Sequence, residues 1–217
     1  TENINVQLNS INEFKAKIDI DYLLTEINQL LKGIDEGAAR TVEIVKGLKT
    51  FSHLDEKDFK KTNIIEGLES TLIILNSNIL KNKIKVVREY ENNFPKIECL
   101  GGQINQVFMN ILNNAIQAMG NNKETQKESI LSIKAYIENN NAYIRIKDTG
   151  YGIPEKIINK IFEPFFTTKA VGSGTGLGLS IVYNIIKKHN GDISIETEEN
   201  KGTEFIIRLP LSANLAN

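Results

Sequence analysis

Asp148-Thr-Gly150-Tyr-Gly152-Ile-Pro154 is the stretch on which the reading of this chain turns. It follows an alternating run, Ala142–Lys147, so Asp148 falls at a strand end before a glycine turn. Alone, Asp-Thr-Gly is a common turn. Three other segments change its weight. Upstream, Asn110-Ile-Leu-Asn113-Asn114-Ala-Ile-Gln117 puts Asn110 and Asn114 on one helix face with Asn113 beside it. Ile111, Leu112, Ala115, Ile116 and Met119 surround these amides, which argues against a merely solvated face. Downstream come the aromatic hinge Phe162-Glu-Pro-Phe165-Phe166-Thr-Thr-Lys169 and the glycine loop Gly174-Thr-Gly176-Leu-Gly178-Leu179-Ser180. That loop opens a helix, where free N–H groups and the positive helix end form an anion site.

Two rival glycine motifs fail. A dinucleotide fingerprint needs Gly-x-Gly-x-x-Gly directly after a strand; here the last gap is one residue and the loop follows Glu-Pro-Phe-Phe. A P-loop needs Gly-Lys-Ser/Thr at its end, which is absent.

Outward from these motifs, elements alternate. Asn63 with Glu66 three residues on is a capping-box signal for a helix to about Leu80. Ile84–Tyr90 and Lys96–Leu100 read as strands, 102–119 as a helix, and Asn121–Glu128 as a polar loop. Ser129–Glu138 and Ala142–Lys147 form a hairpin through Asn139-Asn140-Asn141. A short helix runs Pro154–Phe162, a loop spans 163–178, and a helix continues to about His189. Asp192–Glu198 and Thr203–Leu209 close the chain as a second hairpin. This predicts an α+β fold, helices layered on one mixed, largely antiparallel sheet. Cys99 falls in a strand and is expected to be a buried structural thiol.

Residues 2–18 and 21–52 carry apolar residues at gaps of three or four, among them Leu23, Ile27, Leu30 and Ile34, with Leu24 and Leu31 widening the stripe. A dimeric four-helix bundle fits this stripe, and so does a helical hairpin lying on the domain's own core. Residues 54–61 are a charged break. The net charge of −1 gives no reason to expect nucleic acid. No apolar run approaches the ~20 residues a membrane span needs.

In this order and spacing the four segments resemble the ATP-binding domain of sensor histidine kinases, a fold shared with gyrase, the Hsp90 chaperones and MutL. The resemblance covers residues 60–211, with a weaker match over the helices before it. It implies a helical dimerisation region over 1–55, truncated at its start, a linker at 56–61, an ATP-binding catalytic domain at 62–213 and a tail at 214–217. By resemblance Asn114 is the Mg²⁺ ligand, its amide oxygen a neutral hard donor, and Asn110 lines the phosphate site. Asp148 would accept the adenine amino proton, with Gly150 and Gly152 letting the backbone approach the base. Gly174, Gly176, Gly178 and Leu179 belong to the lid and its helix, and Gly202-Thr203 to the last glycine box. Lys169 would meet the terminal phosphate; the alternative is a solvated loop lysine.

Two positions depart within that resemblance. Gyrase and Hsp90 place a Glu general base where this chain has Asn110, which cannot take a proton, so a kinase is favoured over an ATPase. Many members have Lys where Gln117 stands; Asn-Ala-x-Gln-Ala-Met resembles the nitrogen-regulator branch. The chain has two histidines, His53 and His189, and neither has the context of a phosphoacceptor. The acceptor is therefore expected just before Thr1, with residues 2–17 the tail of its helix. The implied function is γ-phosphoryl transfer from Mg·ATP to that histidine and on to a response-regulator receiver Asp. The implied partner set is a homodimer, a receiver domain, no nucleic acid, and membrane contact only through upstream segments of an otherwise cytoplasmic protein. A nucleotide-binding pseudokinase that signals through lid and bundle geometry is the other reading.

Overall fold

The computed structural model describes residues 22–34, 38, 58–120, 127–168 and 176–212. The chain divides into two compact units, Thr1–Val45 and Lys46–Asn217. In the first, residues 22–34 are helical, and Leu23, Ile27, Leu30 and Ile34 of the apolar stripe are 44%, 50%, 65% and 65% exposed. His53 and the rest of the region around it lie outside the described residues.

The second unit runs β1 (Lys60–Thr62), α1 (Ile64–Lys81), β2 (Lys85–Tyr90), β3 (Ile97–Cys99), α2 (Gly101–Ala118), β4 (Ile130–Glu138), β5 (Asn141–Asp148), a 3-10 turn (Glu155–Lys160), α3 (Gly178–Lys188), β6 (Asp192–Glu198) and β7 (Gly202–Pro210). Five strands form one sheet in the order β2-β4-β5-β7-β6. β2 pairs parallel to β4 and the other neighbours are antiparallel, the α+β sheet expected.

Local chemistry sets the elements. Asn63 Oδ1 accepts from the N–H groups of Ile65 and Glu66, and its Nδ2 donates to Glu66 Oε1, so two otherwise unpaired helix donors are satisfied. The β4–β5 turn has Asn139 and Asn140 at φ 47° and 61°. Such a two-residue turn needs left-handed backbone, which Asn tolerates. Asn141 therefore joins β5 opposite Glu138 and does not form part of the turn.

Period-two alternation then turns Leu131, Ile133 and Ala135, Ala142, Ile144 and Ile146, and Phe205, Ile207 and Leu209 inward. These meet the buried sides of the helices in one core, with α2 packed against both α1 and α3. Cys99 is buried there, 1% exposed, as a structural thiol.

Two stretches differ from the sequence reading. The expected linker over 56–61 runs into β1, which pairs antiparallel with β3 from Lys60↔Cys99 to Thr62↔Ile97. Lys60 and Lys61 are exposed and Thr62 half-buried, so no alternation marks the strand; its backbone partner is supplied from the far side of α1. The expected helix over Pro154–Phe162 is a 3-10 turn, preceded by Pro154 in extended conformation. With ψ at 136° Pro154 sits outside the helix instead of in its first turn.

Candidate functional site

α2, the turn after β5, the 3-10 turn, the start of α3 and β7 enclose a cavity of about 490 Å³. Asn110, Asn113, Asn114 and Gln117 line it from α2. The turn contributes Asp148, Tyr151 and Gly152, β7 contributes Thr203 and Phe205, and Gly176, Gly178 and Leu179 line the other end. Of the residues expected at the site, Asn110, Asn114, Asp148, Gly152, Gly176, Gly178, Leu179 and Thr203 thus share one cavity. Lys169 and Gly174 lie outside the described residues.

Asp148 is 2% exposed. Its Oδ1 accepts from the N–H of Gly150 at 2.8 Å and of Thr203 at 3.3 Å. Both backbone bonds go to one oxygen, which leaves the other for a ligand. Burial pushes its pKa up to about 6, against the pull of the two N–H groups and of Lys127.

The glycines do work that the sequence reading placed elsewhere. A Cβ on Gly152, at φ +72°, would stand 2.1 Å from the Glu198 carbonyl oxygen. One on Gly150 would stand 2.7 Å from the Ala118 backbone, and one on Gly202, at φ +122°, 2.0 Å from the Asp148 carbonyl oxygen. The space their missing side chains leave is filled by protein. These glycines let the turn press between the end of α2 and the β6–β7 hairpin, which aims Asp148 into the cavity.

At the opposite end, Asn110 meets the first turn of α3. A Cβ on Gly178 would lie 3.2 Å from Asn110 Oδ1. The Asn110 amide therefore faces the first turn of α3, a helix start of the kind that favours an anion. Of the three phenylalanines expected to root the lid, Phe166 lines the cavity and Phe162 packs on Tyr183 with ring centroids 5.5 Å apart. Phe165 is 75% exposed.

Several lining residues were given no role by the motifs: Tyr151 and Ile153 stand inside the Asp148–Pro154 stretch without one, and Ile157, Ile161 and Phe205 lie outside every motif. They form apolar walls suited to a planar base. Of the three outside the motifs, only Phe205 had a sequence signal, the alternation that puts it on the inward face of β7.

His189 is elsewhere. It is the C-cap of α3, 4% exposed, with Nδ1 donating to the Ile185 carbonyl at 2.7 Å and Nε2 accepting from the Leu100 N–H at 3.0 Å. Burial holds its pKa below the usual value. It is therefore a neutral cap and not one of the cations at the helix end, a part left to Lys187 and Lys188. With both ring nitrogens engaged it offers no nucleophile.

A family model described as "Histidine kinase-, DNA gyrase B-, and HSP90-like ATPase" matches residues 101–213. Sporulation kinase E of Bacillus subtilis (strain 168) is 35% identical over 156 residues, 72% of this chain and 20% of that protein. The catalytic domain of histidine kinase ThkA, nucleotide-free, has a TM-score of 0.63 at 33% identity, covering 72% of this chain and 97% of that one. ThkA in complex with response regulator protein TrrA matches with a TM-score of 0.60 at 28% identity, over 84% of this chain and 51% of that one. The chain belongs to the histidine kinase-, DNA gyrase B- and HSP90-like ATPase family, as the ATP-binding core of a histidine kinase. It spans about a fifth of the length of the first curated relatives it matches.

Proposed function

We propose that this chain binds ATP with Mg²⁺ and presents the γ-phosphoryl group to a histidine, for relay to an aspartate of a response-regulator receiver domain. The observation that carries the reading is Asp148: a buried carboxylate with one oxygen held by two N–H groups and the other turned to a cavity with apolar walls. That oxygen accepts from the adenine amino group. Ile153, Ile157 and Phe205 exclude water from the base, and Gly150 and Thr203 orient the acceptor.

The triphosphate then extends toward Asn110, Asn114 and the start of α3. Asn114 offers a neutral amide oxygen, which fits Mg²⁺ only together with phosphate oxygens, and Asn110 lines the phosphate site; the ion would supply neutralisation of charge on the triphosphate. Asn110 cannot deprotonate water, so hydrolysis is not promoted. Lys169 is assigned to the terminal phosphate and Gly174 to the lid. Catalysis is positioning and charge neutralisation.

The helical region is assigned to a homodimer, supported by the exposed stripe Leu23, Ile27, Leu30 and Ile34. A receiver domain as partner is supported by the complex that ThkA forms. No helix among the described residues is long and apolar enough to cross a membrane. Membrane contact is assigned to other segments, and this chain to the cytoplasm.

The test is labelling with γ-labelled ATP and Mg²⁺. Residues 1–217 should gain almost no acid-labile phosphate, and extension upstream by about two helical turns or more should restore it. Strong labelling of 1–217 that vanishes in His53→Ala would make His53 the acceptor. Release of inorganic phosphate without labelling in the extended chain would favour an ATPase.

A further inference from the structure

Near the end of the polar loop before β4 stands Lys127, which no motif singles out. Its Nζ donates to two main-chain carbonyls from separate loops, Gly150 at 3.1 Å and Asn200 at 2.7 Å. These two loops are the walls around Asp148. The Gly150 N–H bonds Asp148 Oδ1, and the Asn200 N–H donates to the Tyr151 carbonyl at 2.8 Å. The turn and the hairpin already touch where Gly152 meets Glu198 and Gly202 meets Asp148. Lys127 ties them together beside those contacts, so one ammonium group bridges two carbonyl dipoles and closes the frame.

We propose that Lys127 is a positioning residue of the nucleotide site: by joining the Gly150 and Asn200 carbonyls it holds the Asp148 carboxylate where an adenine amino group can reach it. The inference rests on the nucleotide reading given above. Electrostatics supports it. Burial drives Asp148 toward its protonated form, and Lys127 is the cation that opposes this. The other groups facing Asp148 do not substitute. Tyr151 is itself pushed up by burial and by Asp148. Glu198 and Lys201 of the hairpin pair with each other at 2.6 Å at the surface. The residues that α2 contributes to the cavity lining, Asn110, Asn113, Asn114 and Gln117 among them, carry no charge. Lys127 thus holds the acceptor in place and adds to the two N–H groups' pull toward its ionised form.

The experiment pairs two readouts on the whole chain. ADP affinity is measured by calorimetry from pH 8 to 5, and the Asp148 carboxyl carbon is titrated by NMR without nucleotide. The variants are Lys127→Met, Lys127→Gln and Lys127→Arg. In Lys127→Met, ADP should bind roughly five- to twentyfold more weakly at pH 7, with the carboxyl titrating at higher pH than in the wild type. Lys127→Arg should recover most of both. Lys127→Gln keeps a donor without the charge, so its titration should move up even where the fold is intact. Wild-type titration in Lys127→Met or Lys127→Gln overturns the proposal, as does an affinity loss equal at every pH. Absence of ADP binding by the wild type, with the titration still displaced in the variants, would refute the nucleotide reading and leave the action of Lys127 on Asp148 standing.

Discussion

Asp148 at the end of β5 and His189 at the end of α3 set the fold the same problem: an ionisable side chain taken out of water, two residues before a glycine. The fold answers it differently in the two places. Both nitrogens of His189 are bonded to main chain, one to Ile185 and one to Leu100. Asp148 spends one oxygen on two main-chain N–H groups and leaves the other facing a cavity. Complete pairing marks a strut; incomplete pairing beside open space marks a site. The strut also has a place in the architecture. It joins the end of α3 to the N-cap of α2, the helix that carries Asn110 and Asn114, and Phe59 packs on its ring with centroids 5.1 Å apart.

Removing the strut should have the largest effect. His189→Ala strands the buried Leu100 N–H and empties the space beneath Phe59. The expected loss is about 2–4 kcal/mol of stability by denaturant unfolding. ADP affinity of the remaining folded protein should change little. A variant as stable as the wild type would break the contrast, because His189 would then be as dispensable as a surface residue.

Removing the site should cost binding and not stability. In Asp148→Asn the amide oxygen can still accept from Gly150 and Thr203, but an N–H group then faces the cavity. Calorimetry should show ADP bound roughly ten- to a hundredfold more weakly, or about 1.4–2.7 kcal/mol. The melting temperature at pH 8 should rise, since a buried carboxylate is replaced by a neutral group. Equal ADP affinity in the two proteins would remove Asp148 from the site.

The same contrast explains what could be read from the sequence. α1 was legible through Asn63, Glu66 and its apolar period, and the β4–β5 hairpin through alternation about Asn139-Asn140, because these signals are local. Asp148, Asn110, Asn114 and Gly178 were legible because the residue types and their spacing carry chemistry. β1 was not, since Lys-Lys-Thr shows no alternation and its partner lies beyond α1. Lys127 was not either. Its partners are backbone carbonyls 23 and 73 residues away, and a carbonyl has no letter in a sequence. The glycines were legible as glycines, but which neighbour fills the space beside each depends on packing. Nor does a string reveal that His189 is fully bonded and Asp148 half-bonded, although that distinction separates scaffold from site.

The smallest effect expected is in the intact protein, and it arises because the two groups oppose each other. The folded pKa of Asp148 lies near 6, above its ordinary 3.8, so between pH 7 and 5 the folded protein takes up a proton there that the unfolded chain does not. Stability from this group rises as pH falls. The folded pKa of His189 lies below its ordinary 6.5, so over the same window the unfolded chain is protonated first. Stability from this group falls as pH falls. Asp192, held below the usual carboxylate value by Lys187 and Arg208, titrates beneath this window and does not interfere. The wild type should therefore show a shallow dependence from pH 7 to 5 in chemical unfolding. Asp148→Asn should uncover the histidine and lose stability steadily on acidification. His189→Gln, whose amide can still accept from Leu100, should uncover the aspartate and gain stability over the same range. Parallel pH profiles in the two variants would mean that neither buried group titrates as its surroundings require.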